Sequence, residues 1–267
     1  MSASEVLFFT KYFGLMVGDY VPPDNEAWKL YIKLRSIIDI ITAPEITTAD
    51  LTNLELLIEQ HHELYKEQFG KLKATFHLMT HYIRSILKNE LLSITSSMRI
   101  ESKHRMIKSI LSAISNRINP LKSVAERHQL ALMKFTYSKY KNLYVTYGST
   151  VLDNAINIYF PNAESKIMIT NFKVNDFTYK QGTIFVADIG ENLPCFGEID
   201  KIYLVDNDIY LKYNMFQTFG FDEHYFAYSV SITQIQKFIK YDSLDFRTPC
   251  IIDEKEGIQY IATRYRL

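Results

Sequence analysis

The chain has 267 residues, 47% of them hydrophobic, with 19 Tyr and 17 Phe, so a sizeable core is expected and wholesale disorder is excluded. Its 30 basic and 30 acidic residues cancel, and two cysteines, Cys195 and Cys250, make no disulfide framework, which fits a reducing compartment. The apolar runs are too short for a membrane span, and MSASEVLFFTKYFGLMVGDY, with no basic start and with Glu5, does not read as a signal peptide, so a nuclear or cytoplasmic protein is expected, without a choice between the two.

The first half reads helical. Trp28, Leu30, Tyr31, Leu34, Ile37, Ile38 and Ile41 recur at three- and four-residue spacing until Pro44 stops the pattern. Thr47-Thr48-Ala49-Asp50 offers caps for a second helix, in which Leu51, Leu54, Leu57, Ile58, His61, His62 and Tyr65 lead to Gly70. A third helix is expected over about 75–88, with Phe76, Met79, Ile83, Ile86 and Leu87 apolar. In MRIESKHRMIKSIL (98–111) and just beyond, Ile107, Ile110, Leu111 and Ile114 make the stripe of a fourth, and Asn119-Pro120 breaks it. Ser123, with Glu126 three residues on, reads as the capping box of a fifth helix running to about Lys141.

From about residue 145 the pattern changes to short Tyr-, Ile- and Val-rich runs. GTIFVADIGENLPCFGEIDKIYLVDNDIYLKYNMFQTF reads as three strands, with Asp206-Asn207-Asp208 turning a hairpin. FAYSV and YIATRY read as further strands, separated by SITQIQKFI. The expected fold is therefore α+β: a helical domain over 1–142, then a small β-barrel or sandwich over 143–267.

Charge is unevenly placed. Residues 1–70 carry 5 basic and 11 acidic residues, residues 71–142 carry 14 and 3, and residues 143–267 carry 11 and 16. The net charges are −6, +11 and −5. A basic block of that kind gathers phosphates and releases their counterions, unless the acidic flanks cover it. On helical geometry Glu101, His104 and Lys108 share one flank of the Ile107 stripe, about 60–120° around from it. An edge acid there serves either as a ligand or in an ordinary ion pair. His77 and His81 are i,i+4 neighbours and with Glu101 and His104 could outline a two-helix metal site; half-buried, hydrogen-bonded histidines are the plainer alternative. His61 and His62 are adjacent and are expected to point different ways. There is no glycine-rich phosphate loop, no GxSxG and no CxxC.

The run FHLMTHYIRSILKNELLSITSSMRIESKHRMIKSILSAISNRINPLKSVAERHQLALM resembles the C-terminal region of CACTA-type (En/Spm-like) DNA transposases and of transposon-derived invertebrate proteins. The family pattern is a K-x-H-x-x-x-H-Y helix, an M-R-x-E-x-x-H-x-x-x-K helix, then an Asn near S-x-A-x-x-H-Q. It is met at Lys73 (one residue out of register), His77, His81, Tyr82, Met98, Arg99, Glu101, His104, Lys108, Asn116, Ser123, Ala125, His128 and Gln129. LPCFGEIDKIYLV and FDEHYFAYSV resemble the downstream part, so the similarity spans about residues 70–230. It implies an RNase-H-like core with three acids and two divalent metals, in which Glu101 would be the third acid and would help hold Mg²⁺.

The chain departs from that pattern. Asn89-Glu90 stands where the family has Gly-Pro. The first two acids should lie on upstream strands, yet the residues before Glu101 read helical; Asp19 and Asp39 are acids in apolar surroundings without strand context. A transposase-derived, catalytically incomplete, DNA-associated protein is therefore expected, with Arg99, Lys103, Arg105 and Lys108 as leading backbone contacts. The β-rich half, acidic on balance, is expected to meet a protein partner. Two alternatives stay open: a structural or protein-interaction domain without DNA binding, and a metal-dependent enzyme built on His77, His81, Glu101 and His104.

Overall fold

The computed structural model describes residues 2–89, 92, 97–114, 118–137, 144–147, 154–174, 177–190 and 193–267. The fold is α+β, with helices first and an antiparallel sheet after them. Two compact units emerge. One comprises residues 1–129 together with Asp222–Ala227 and Arg264–Arg266; the other holds 130–221, Tyr228–Thr263 and Leu267.

In the helical unit, α1 (Ala3–Val17) opens on a capping box: the Ser2 hydroxyl accepts from the Glu5 amide, and the Glu5 carboxylate accepts from the Ser2 amide. The expected first helix is α2 (Glu26–Thr42), capped by Asn25. Thr47 and Asp50 form the anticipated capping box of α3 (Thr48–Phe69), which Gly70 ends at φ 78°. Ile37, Leu54, Leu57 and Ile58 pack between α2 and α3, joined by Met79 and Ile86. The expected third helix is broken. It is a single turn, α4 (Ala74–His77), then a 3₁₀ turn over Leu78–His81, then α5 (Tyr82–Asn89).

Two basic helices follow, α6 (Ser97–Ala113) and α7 (Pro120–Tyr137). Ile107, Ile110 and Ile114 are half-buried, whereas Leu111 is exposed. The start of α7 lies earlier than Ser123. Asn119 accepts from the Lys122 amide and Pro120 takes the first helical position, so the pair that stops one helix begins the next.

In the second unit the described strands are β1 (Tyr144–Tyr147), β2 (Lys166–Val174), β3 (Phe177–Lys180), β4 (Ile184–Ile189), β5 (Pro194–Val205), β6 (Asp208–Asp222), β7 (Ala227–Lys240), β8 (Ile251–Lys255) and β9 (Ile258–Ala262). Between β1 and β2 lies a short helix, α8 (Asn154–Tyr159). The strands form one curled sheet, a half-barrel, ordered β1-β2-β5-β6-β7-β9-β8 with β3 on β2 and β4 on β5. An isolated bridge joins Ile184 of β4 to Cys250, just ahead of β8. FAYSV and SITQIQKFI, expected to be a strand and a separator, run together from Ala227 to Lys240 as one long strand, β7, with Phe226 in the turn before it. The hairpin expected at Asp206-Asn207-Asp208 is present, but its turn is the two residues Asp206 and Asn207, at φ 48° and 70°, because Asp208 already pairs with Val205.

Strand β4 is buried on both faces. Phe185 and Ala187 join Phe172, Tyr179, Ile202 and Leu211, while Ile184 and Val186 join Phe196, Phe216, Tyr228 and Ile261. Across β2, β5 and β6, Tyr203 and Val205 are covered by Ile156 and Phe160. Gly197 is required by this packing, because a Cβ there would lie 2.4 Å from the Tyr213 ring.

Candidate nucleic-acid interface and a buried polar cluster

The basic block stays at the surface. Lys71, Lys73, Arg84, Lys88, Lys103, Arg105, Lys108, Lys122 and Arg127 are all exposed. Among the described residues only Lys122 of this set makes an ion pair, a 3.7 Å contact with Glu126 one turn on. Neutralisation of these residues by the described acids is therefore slight.

The four expected backbone contacts do not share one face of α6. Taken at 100° per residue, Arg105 and Lys108 lie about 60° apart, while Lys103, one turn before Ile107, falls within the stripe itself, about 140° from Lys108. Lys103 turns to α7, where its Nζ lies 2.7 Å from His128 Nε2. Arg99 and Glu101 fall on α6, but their side chains lie outside the described residues, as does Asn116.

The proposed metal ligands are partly visible. His77 and His81 are exposed and meet edge to face, ring centroids 4.9 Å apart. His104 is exposed on α6. Among the described residues no three His, Cys, Asp or Glu side chains gather as a metal site. Asp19 is exposed on a 3₁₀ turn, and Asp39 is a buried helical residue committed to structure. Burial pushes the Cys250 thiol up to about 12, which leaves it protonated and unreactive at neutral pH.

Asp39 belongs to a buried polar cluster inside the helical unit. Its Oδ1 accepts from Arg35 Nη1 at 2.8 Å, and its Oδ2 accepts from the Arg266 amide at 2.8 Å. The Arg35 guanidinium also donates from Nε to the Lys11 carbonyl and lies 4.0 Å from the centroid of the Phe226 ring. Lys11 Nζ donates to Thr42 Oγ1 at 2.6 Å and to the Arg264 carbonyl at 2.8 Å. Burial, with Arg35 as a like charge beside it, lowers Lys11 to about 7; Asp39 opposes the shift. Phe226 holds φ 53°, an unfavourable backbone for a bulky residue that its burial against Arg35 helps to offset. Close by, Gly14 and Gly18 form a flat strip under Tyr225: a Cβ on Gly14 would stand 2.6 Å from the Tyr225 carbonyl oxygen.

The least anticipated feature is the pair His61 and His62. Adjacent helix positions are 100° apart, yet the apolar face of α3 is wide enough to bury both, at 1% and 8% exposure. Their rings lie 5.7 Å apart, and Phe76 packs edge-on against His61 at 5.3 Å.

No protein-family model matches the chain, and no curated protein matches it. Among the described residues no helix is long and apolar enough to cross a membrane.

Proposed function

We propose that the chain is a transposase-derived, catalytically incomplete protein that binds DNA by its backbone through the basic helices α5–α7. The observation that carries this is the exposed basic block, with Lys122 alone among its described members paired to a described acid. Arg105 and Lys108 lie on one side of α6 and are the first contacts to test; by helical position Arg99 and Lys103 fall on the opposite side. Recognition of phosphate rather than of bases makes the binding tolerant of sequence and steeply dependent on salt. Filter binding of a DNA duplex at two salt concentrations tests it, and absence of binding at low salt refutes it.

Two points support catalytic incompleteness. Among the described residues the strands all follow Glu101 in the chain and pair antiparallel. A lone carboxylate holds Mg²⁺ weakly. This chain by itself should not cleave linear DNA with Mg²⁺; cleavage that disappears in Glu101→Ala would overturn that. In the β-rich unit the Ile184–Cys250 bridge favours a small, nearly closed barrel, and the nucleus is the compartment that fits a DNA-bound protein.

A further inference from the structure

The segment Lys73–His81 is held lightly. Its nine residues form one helical turn and one 3₁₀ turn, and only Met79 is buried and Phe76 half-buried. Phe76 rests on three rings of α3: His61 at 5.3 Å, His62 at 6.2 Å and Tyr65 at 4.7 Å between centroids. Two of the three are imidazoles that the proposed function does not use.

Each imidazole has a buried nitrogen, His61 Nδ1 and His62 Nε2, with no hydrogen-bond partner among the described residues. A neutral ring tolerates that, but a protonated ring needs a donor's partner at both nitrogens. The titratable groups set against the pair are Tyr65 and Lys66 on α3; the segment carrying Phe76 also bears His77 and His81, which are exposed and contact each other. Among the described residues neither ring pairs with a carboxylate.

We propose that His61 and His62 form an acid-sensitive latch: proton uptake by the buried imidazoles releases Phe76 and Met79 from α3 and opens Lys73–His81. The latch stands independently of DNA binding. The titration directions agree with the geometry. Burial, then the neighbouring His62, lowers His61 to about 4; burial, then Lys66, lowers His62, with a backbone bond at Phe76 in partial opposition. Both folded values lie below the unfolded one. The closed form is therefore stable above pH about 6.5 and loses stability as pH falls through the window down to about 4.

The test is hydrogen exchange on the full chain at pH 7.5 and 5.5, corrected for intrinsic rates. Protection of peptides covering 73–81 should fall by about tenfold per pH unit for each imidazole that takes up a proton, while peptides from β5 and β6 change little. In H61Q/H62Q the pH dependence should vanish. If that variant fails to fold, the His61 and His62 imidazole titrations in the unmodified chain decide: midpoints well below 6.5 support the latch. Protection of 73–81 that is independent of pH, or ordinary midpoints, overturns it.

Discussion

Asp39→Ala removes the only carboxylate among the described residues in contact with the Arg35 guanidinium and leaves that cation with its Phe226 stack and a backbone carbonyl. Arg35 is 1% exposed and Lys11 5% exposed, so neither can turn to water. The Arg266 amide loses its acceptor as well. Breaking one side of a buried pair costs about 3–5 kcal/mol, because the remaining charge is left uncompensated. For a chain of this size that is a loss of about 10 °C in melting temperature. The assay is thermal unfolding followed by circular dichroism at 222 nm, which weights the helical unit. Arg35→Met with Asp39→Leu replaces both charges by apolar volume and should melt well above Asp39→Ala. If Asp39→Ala lowers stability by less than about 1 kcal/mol, the surface-pair range, the cluster is not closed to solvent and the account of it is wrong.

Gly14→Ala should destabilise by about 1–3 kcal/mol, as overpacking does, because the new methyl meets the Tyr225 carbonyl oxygen at 2.6 Å; denaturant titration reads this as a lower midpoint. Lys11 supplies a separate pH signature. Its folded value of about 7 lies below the ordinary 10.5, so between them the unfolded chain binds more protons and stability rises with pH, by up to about 1.4 kcal/mol per unit. Lys11→Met should flatten stability curves between pH 7 and 10, and an unchanged slope would show that Lys11 stays charged.

Much of the architecture was legible because local signals were complete in themselves. The α2 stripe, the Thr47–Asp50 box, Gly70 and the Asp206-Asn207 turn each fix their element by short-range chemistry. Helix α1 was not foreseen. Leu7, Phe8, Phe9, Leu15 and Met16 surround the helix rather than striping it, although Ser2 and Glu5 carry a readable capping box. The break at Leu78–His81 has no proline or glycine to announce it. In β7, Ile232 and Ile235 are both exposed and their odd spacing hides the strand's period of two.

The polar cluster was half legible. Arg35 and Asp39 stand one turn apart in the sequence, but Lys11, Phe226, Arg264 and Arg266 come from segments up to 253 residues distant. Burial of both His61 and His62 follows from the width of the α3 contact face, which depends on what Phe76 and Met79 cover. The basic block was plain from charge counts alone; what the structure adds is its exposure and the diversion of Lys103 to His128.

The central claim is backbone binding by the basic helices, and the salt dependence of duplex affinity tests it most directly. The two contacts on one side of α6, Arg105 and Lys108, contribute about −1.8 to the slope of log affinity against log salt. Affinity should then fall at least roughly tenfold between about 50 and 200 mM salt. R105A/K108A should bind more weakly at low salt on every duplex tested, with the slope reduced by about 2. A flat salt response, or a variant that binds as the unmodified chain does, would contradict the account.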